Sequence, residues 1–556
     1  MVSGPVDIAE LLNKTFGESF SLDDAPSPVI APLPDHLHSI PPLCTVLFPT
    51  SLIRVHLKKL KNSKNVSPDG FSPFTLKLLG SGLCYPLSRL FEFCLGHEFV
   101  PPSWKLSFIS PLFKQGSRSD PHNFRPISNT SIMCRVMERC ISDSITAYLN
   151  THNLLSKTQH GFRVGSSVVT NLAESTCDWT NIIDTHQSVD VAYIDLSKAF
   201  DSVVHSKLYA KLHSIGIQGS LLQWLYNYLS FRKQSVLIDN IHSSLIPVLS
   251  GVPQGSVLGP LLFSIFINDL PLFVMEKHDF SFPPLRLFAD DIKVYRVVNN
   301  LHDALFLQSL LDSICSWCSI NQLKINVQKC FILHLGHTNN HFIYGFHGNF
   351  IPKSELVKDL GVYMEPNLSY SRHISIICAR ARSRCSLYFK YFISRDLYSM
   401  KLFFVTYVRP LLEFASPVWN PISQTLINNL ESVQKFFTNK IPTCTFLPYK
   451  RRLVSLNLDS LQKRRQVADL MFAYSIINGS TNTSLYPYLT FAPPSVTRGH
   501  DLQIIRPLFK LATSNQNLIS RISSTWNKLP DSILSSQSKL SFKKKLSNFC
   551  TDPYRA

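Results

Sequence analysis

The acids of this chain that could do chemistry fall in two short segments. Tyr193-Ile-Asp195-Leu-Ser-Lys-Ala-Phe200-Asp201 places an acid at the end of an apolar run. A carboxylate there is costly to bury unless positive charge faces it. Phe288-Ala-Asp290-Asp291 places two adjacent carboxylates in a turn between apolar runs. They repel each other, and a divalent cation held with further oxygen ligands relieves that repulsion. In an extended or turn segment the two side chains point apart, so one is a strong ligand and the other a weaker one. Taken alone, an Asp-Asp turn is usually just solvated. A third segment is Gly251-Val-Pro253-Gln254-Gly255-Ser-Val-Leu-Gly259-Pro260. Pro and Gly at this density fix a loop whose backbone approaches a ligand closely, and Gln254 offers adaptable hydrogen bonds to a flat base or sugar.

The elements that position these residues are read from periodicity. Val189–Leu196 is a buried strand ending in the first acid, and Leu285–Tyr295 is a hairpin with the double Asp at its turn. Helices are expected over Leu52–Lys61, from the Ser67-Pro-Asp-Gly70 turn to Leu79, and over 84–100, 133–150, 168–185, Lys207–Ser214 and Leu221–Leu229. Trp104–Phe113 alternates as a strand, and Val236–Leu249 carries two strand-like runs. Residues 1–20 suggest an amphipathic helix with Ile8, Leu11, Leu12 and Phe16 on one stripe, and the Pro- and Ser-rich stretch 21–45 suits a linker. Past residue 370 strand signals fade, and helices such as Ser386–Phe404 and Leu461–Ile477 dominate. Without a strict alternation of strand and helix, the expected class is α+β with an antiparallel sheet.

It is the ordered combination that is specific. Tyr193–Val203, then Gly251–Phe263 with Ile267-Asn-Asp-Leu270, then Phe288–Asp291 resemble motifs A, B and C of the reverse transcriptases of non-LTR (LINE-type) retrotransposons. Ser67-Pro-Asp-Gly-Phe71, Pro111–Gly116, Asn123-Phe-Arg-Pro-Ile-Ser128 and Gln159-His-Gly-Phe-Arg163 look like that family's entry and fingers segments. Leu323–Asn326 with Lys329 resembles motif D, Leu360-Gly-Val362 motif E, and Thr525-Trp-Asn-Lys-Leu-Pro530 the tail.

The resemblance implies a right-hand polymerase: an N-terminal helix and linker (1–50), fingers (51–190), palm (191–370), then a thumb and basic helical region (371–556). It implies two Mg²⁺ ions, with Mn²⁺ possible, at Asp195, Leu196, Asp290 and Asp291. Lys329 would act as general acid. Lys114 and Arg125 would clamp the triphosphate, and Gln254 and Gly255 would face the template–nucleotide pair. Phe200 would lie beneath the incoming sugar and exclude a 2′-hydroxyl. The plainer readings are core packing for Phe200, a solvated surface for Lys329 and a structural turn for Arg125. The implied partners are an RNA template, a DNA primer and dNTPs. About fifty residues precede the fingers, so an N-terminal endonuclease is not expected.

Charge agrees with a polyanionic partner. The 556 residues carry a net charge of +18. Residues 370–556 hold 26 basic and 8 acidic side chains, and residues 1–369 balance at 29 of each. Lys450-Arg-Arg452 and Lys463-Arg-Arg465, with Lys543-Lys-Lys545, are the densest clusters and candidates to hold a phosphate backbone. A composition 45% hydrophobic and 17% charged is not that of a disordered chain. The 13 Cys lack disulfide or zinc spacing, and Cys315-x-x-Cys318 fits a core helix. Val257–Met275 is apolar but broken by Pro260, Asn268, Asp269 and Pro271, which suits a buried helix rather than a membrane span. With no signal peptide read at the N-terminus, an intracellular protein of nucleus or cytoplasm is expected. Two other readings are open: a truncated or inactive retroelement-derived nucleic-acid-binding protein, and an RNA-templated RNA polymerase, against which Phe200 argues.

Overall fold

The alternation through Leu106–Phe113 does form a strand, buried on one face at Ser107 and Ile109. It belongs to the first of two units into which the computed structural model divides: residues 1–162, 194–292 and 309–329, against 163–193, 293–308 and 330–556. The structure describes residues 4–23, 40–278, 285–493, 500–511, 513–550 and 552–553. Most of the expected 21–45 linker lies outside these.

In the first unit, Leu106–Phe113 pairs antiparallel with Phe124–Asn129 and parallel with Arg232–Ile238. The latter strand pairs antiparallel with Ile241–His242 and Ile246–Val248. This sheet is therefore mixed, whereas the strand that leads to Asp195 pairs antiparallel with Phe331–Leu335, as expected. The parallel pair joins segments more than a hundred residues apart, a register that local periodicity does not carry. The helix Pro5–Gly17 buries Ala9, Leu12 and Phe16 against Ile109 and Val236. Ile8 and Leu11, expected on that stripe, are exposed at 36% and 38%.

The apolar stretch after the Pro-Gln-Gly loop becomes two helices, Leu258–Phe266 and Leu270–His278. Leu258–His278 is long and apolar enough to cross a membrane by composition, but 67% of its most apolar window is buried inside the protein. Its first amides, Val257 and Leu258, donate to Glu138 Oε2 at 2.7 and 3.1 Å. Glu138 is fully buried, so a carboxylate meets the positive end of a helix where water cannot. Cys315 and Cys318 lie buried in the helix Leu301–Ile320, as their periodicity predicts.

In the second unit, Phe331–Leu335 pairs antiparallel with Val189–Ile194 from Phe331↔Tyr193 to Leu335↔Val189. The helices Ser371–Tyr391, Gln424–Asn439, Leu461–Ile477, Leu518–Trp526 and Lys539–Phe549 contribute to one continuous core. The single helix expected over Ser386–Phe404 is interrupted. Phe392 is extended, and Asp396 caps a new helix, Leu397–Phe403, by accepting from the Ser399 amide at 2.8 Å. The tail segment is an anchor: Trp526 Nε1 donates to the Leu502 carbonyl, and Asn527 bonds both backbone groups of Ile504.

One buried ion pair ties the first unit's helices together. Lys211 Nζ donates to Asp269 Oδ1 and to the Phe266 carbonyl, both at 2.7 Å, and lies over the rings of Phe266 and Trp317. Asp269→Ala leaves the Lys211 ammonium buried without its counter-charge. Chemical denaturation should show a loss of about 3–5 kcal/mol, and an unchanged midpoint would contradict this role.

Candidate active site

Asp195 follows the strand Val189–Ile194 and precedes the two-residue strand Leu196–Ser197. That short strand pairs antiparallel with Lys324–Ile325, and the Asn326 amide donates to the Asp195 carbonyl at 2.9 Å. The chain then turns through Val327–Lys329. Motif D is thereby sewn alongside Asp195. Burial pushes the Asp195 carboxyl above the usual range, although Lys329 and Lys114 pull it down.

Asp290 occupies the tip of the hairpin whose first strand is Leu285–Phe288, and Asp291 opens the second. The tip is pinned by Gln159-His-Gly161. Leu287 exchanges backbone hydrogen bonds with Thr158 and His160, both at 2.9 Å. Gln159 Oε1 accepts from the Gly161 amide at 2.7 Å and the Ala289 amide at 3.0 Å. Ala289 is thus held at φ +56°, a left-handed conformation unusual for a residue with a Cβ. A Cβ at residue 161 would lie 2.4 Å from the Ala289 nitrogen, so this position requires glycine. Burial raises the Asp290 carboxyl, and the negative charge of Asp195 raises it further. The two acids, 95 residues apart in sequence, therefore share one electrostatic neighbourhood. Asp291 is exposed.

Three cations act on this pair. Arg125 stands opposite Leu112 across the strand pair, and Lys114 lies just past that strand's end, its amide donating to the Asn123 carbonyl at 2.8 Å. Lys114 is depressed first by burial, then by Arg125 and Lys329, while Asp201 and Asp195 act the other way. Asp290 feels both Arg125 and Lys114. Lys114, Arg125 and Lys329 all keep solvent-exposed side chains, as a set waiting for an anion would.

The Pro-Gln-Gly loop is bolted to the segment after Asp195. The Gly251 amide donates to the Val203 carbonyl at 2.7 Å and the Val252 amide to the Phe200 carbonyl at 2.9 Å. A Cβ on Gly251 would lie 2.7 Å from the Asp201 carbonyl oxygen. Gln254 Nε2 donates to Asp201 Oδ1 at 2.7 Å, and Arg135 Nη2 to the Gly255 carbonyl at 2.8 Å. The half-buried Phe200 ring stacks on Phe263, centroids 4.3 Å apart and 16° from parallel, with Phe162 edge-on at 6.3 Å.

Sequence reasoning missed Asp201 as a buried partner of Gln254, Gln159 and Gly161 as the clasp of the hairpin, and Glu138 as a helix cap. Asp201, Gln159 and Gly161 lie within motifs already singled out, so their types were visible and their roles were not. The basic clusters need a correction. Lys450 and Arg451 are exposed, but Arg452 is buried and donates to the Lys435 carbonyl at 3.1 Å. Lys463 pairs with Asp459 at 3.2 Å, Arg464 forks onto Glu413, and Arg465 is fully buried with Nε on Asn420 Oδ1. Arg464 and Arg465 tie the Leu461–Ile477 helix to Glu413 and Asn420, Arg452 ties the Tyr449–Ser455 helix to the Gln424–Asn439 helix, and Lys463 is held locally by Asp459.

The donor set fits a hard divalent cation. Its half-buried acids are carboxylates, and burial raises both. Among the described residues no trio of His, Cys, Asp or Glu is gathered closely enough to hold a metal ion.

Comparison with known proteins agrees with this geometry. Residues 114–364 match the family described as reverse transcriptase (RNA-dependent DNA polymerase). The chain is 28% identical over 414 residues to a probable RNA-directed DNA polymerase from transposon BS of Drosophila melanogaster, covering 72% of this chain and 45% of that protein. It is 27% identical over 332 residues to the RNA-directed DNA polymerase from mobile element jockey of the same species, covering 59% and 36%. With the Pol polyprotein of the retrotransposable element R2DM it shares 26% over 273 residues, covering 48% and 25%. The chain spans less than half the length of these relatives. The stretch 114–364 thus resembles a reverse transcriptase domain. By their names, the relatives that the chain resembles come from a transposon, a mobile element and a retrotransposable element of Drosophila melanogaster.

Burial raises Asp201 from 3.8 to about 6. The folded state therefore binds its proton more tightly than the unfolded state does. The resulting stability is full below pH ~4 and is lost as pH rises through ~6. Asp201→Asn, which keeps an acceptor for Gln254, should be more stable than wild type at pH 8 by at most ~3 kcal/mol. That gap should close by pH 4. Thermal unfolding at the two pH values checks this, and a gap that widens on acidification would contradict it.

Proposed function

We propose that this chain is an RNA-directed DNA polymerase of a non-LTR retrotransposon. It joins a DNA primer 3′-hydroxyl to the α-phosphate of an incoming dNTP on an RNA template and releases pyrophosphate. The observation that carries the reading is that Asp290 feels the charge of Asp195, and that Lys114, Arg125 and Lys329 act on the pair.

Asp195, the Leu196 carbonyl, Asp290 and Asp291 would hold two Mg²⁺ ions, or Mn²⁺ in their place. When bound, such ions stabilise the charge on the attacking and leaving oxygens. The chain's own residues do the rest. Lys114 and Arg125 meet the triphosphate oxygens, Arg in bidentate fashion. Lys329 gives a proton to the departing pyrophosphate. Phe200, backed by Phe263, has no room to move away from a 2′-hydroxyl and so selects deoxynucleotides. Gln254 and Gly255 face the template–nucleotide pair.

On this reading the fingers would span 51–190, the palm 191–370, and the thumb and basic helical region 371–556. The exposed Lys450 and Arg451 contact template–primer phosphates. The protein works inside the cell, in nucleus or cytoplasm, without a membrane.

Primer extension on an RNA template with Mg²⁺ and dNTPs tests this. Wild type should extend the primer, and Asp290→Asn should lose about 10³-fold or more of the rate. Retained activity in that variant would refute the role of Asp290. Binding of primed RNA without any extension by wild type would instead indicate an inactive nucleic-acid-binding protein. Phe200→Ala should admit ribonucleotides, scored as the ratio of rNTP to dNTP incorporation.

A further inference from the structure

The helix Pro5–Gly17 lies outside the stretch that matches the reverse transcriptase family, yet it reaches the loop that carries Gln254. Its polar side chains grip one turn of the sheet. Glu10 accepts from the Ser244 amide at 2.6 Å and the Ser244 hydroxyl at 2.7 Å. Asn13 Nδ2 donates to the Ser244 carbonyl at 2.8 Å, and its Oδ1 accepts from Gln234 Nε2 at 3.3 Å. Gly17 lets the helix end close against Ile246, whose Cδ1 would lie 3.0 Å from a Cβ there.

Beyond the helix the contact becomes direct. The Ser21 amide donates to Ser250 Oγ at 2.8 Å, and Ser250 Oγ donates to the Asp201 carbonyl at 2.7 Å. Asp201 in turn holds the Gln254 amide. Ser250 is 1% exposed, and its loss would leave the Ser21 amide and the Asp201 carbonyl without this partner. Phe16 and Phe20 wall a cavity of about 30 Å³, and Asp201, Gly251 and Gln254 form part of its other side.

We infer that residues 5–22 are a positioning element for the nucleotide site, and that Ser250 is the residue through which they fix the Asp201–Gln254 pair. The kinetic consequence rests on the polymerase reading above; the mechanical coupling does not. A merely structural helix would support the whole first unit evenly. A positioning element acts on one loop, and its loss appears in how the nucleotide is held rather than in the rate of chemistry.

The test uses the full chain with Ser250→Ala, the conservative Ser250→Thr, and the double variant Glu10→Gln/Asn13→Ala, which loosens the helix without touching Ser250. Hydrogen exchange over 250–256 is measured first. It should rise in Ser250→Ala and in the double variant and return toward wild type in Ser250→Thr. In primer extension the KM for dNTP should rise about fivefold, with kcat within about twofold. Unchanged exchange at 250–256 in both loosened variants overturns the inference. So does exchange that rises evenly across the first unit with a lowered melting temperature and a fall in kcat alone. Raised exchange with an unmoved KM overturns the positioning role. A wild type that extends no primer refutes the polymerase reading instead, and the exchange data still decide whether the coupling exists.

Discussion

Two half-buried carboxylates of like charge set the terms for the rest of this structure. Asp195 and Asp290 are each raised by burial, and Asp290 is raised again by Asp195. Left to themselves they would separate or take up protons. The nearby Lys114, Arg125 and Lys329 offset the cost only in part, since they keep their own charges turned to solvent. The backbone must therefore hold the acids in place. The Asn326 amide fastens the carbonyl of Asp195, and Gln159 fastens the left-handed turn that precedes Asp290.

The same logic runs through the loops around the pair. Gly161 and Gly251 are sites where one backbone presses on another with no space for a Cβ. These contacts use main-chain groups, whose geometry tolerates little drift, and they join segments far apart in sequence. Side chains with chemical roles then need only short reach. In the second unit charge serves a different end. Arg464 on Glu413 and Arg521 on Asp469 are partly or wholly buried pairs that fix helix against helix. Some of the basic side chains of the last third are therefore structural.

What could be read beforehand was what depends on neighbours in sequence. The strand ending at Asp195, the hairpin at Asp290 and most helices follow from local periodicity and turn residues, and their types survive in the fold. The break at Phe392–Asp396 was hidden because apolar residues continue through it; only the Asp396 cap marks a restart. The inward turn of Lys463 and Arg465 was hidden because a run of basic residues looks the same on a solvated helix as on one buried from several sides. The parallel pairing of Leu106–Ile109 with Lys233–Val236 has no local signal at all. The Gln159 clasp stood inside a segment already noticed, but the need for its side-chain oxygen arises only from the conformation of a turn 130 residues later.

The central claim is the electrostatic coupling of Asp195 with Asp290, and a double-mutant cycle measures it directly. Asp195→Asn, Asp290→Asn and the double variant are unfolded with denaturant at pH 8 in the presence of a metal chelator. If the acids repel each other in the folded chain, the stability gained by the double variant falls short of the sum of the singles by about 1 kcal/mol. Strict additivity would mean that the two carboxylates do not meet, and the account of the site would fail with them.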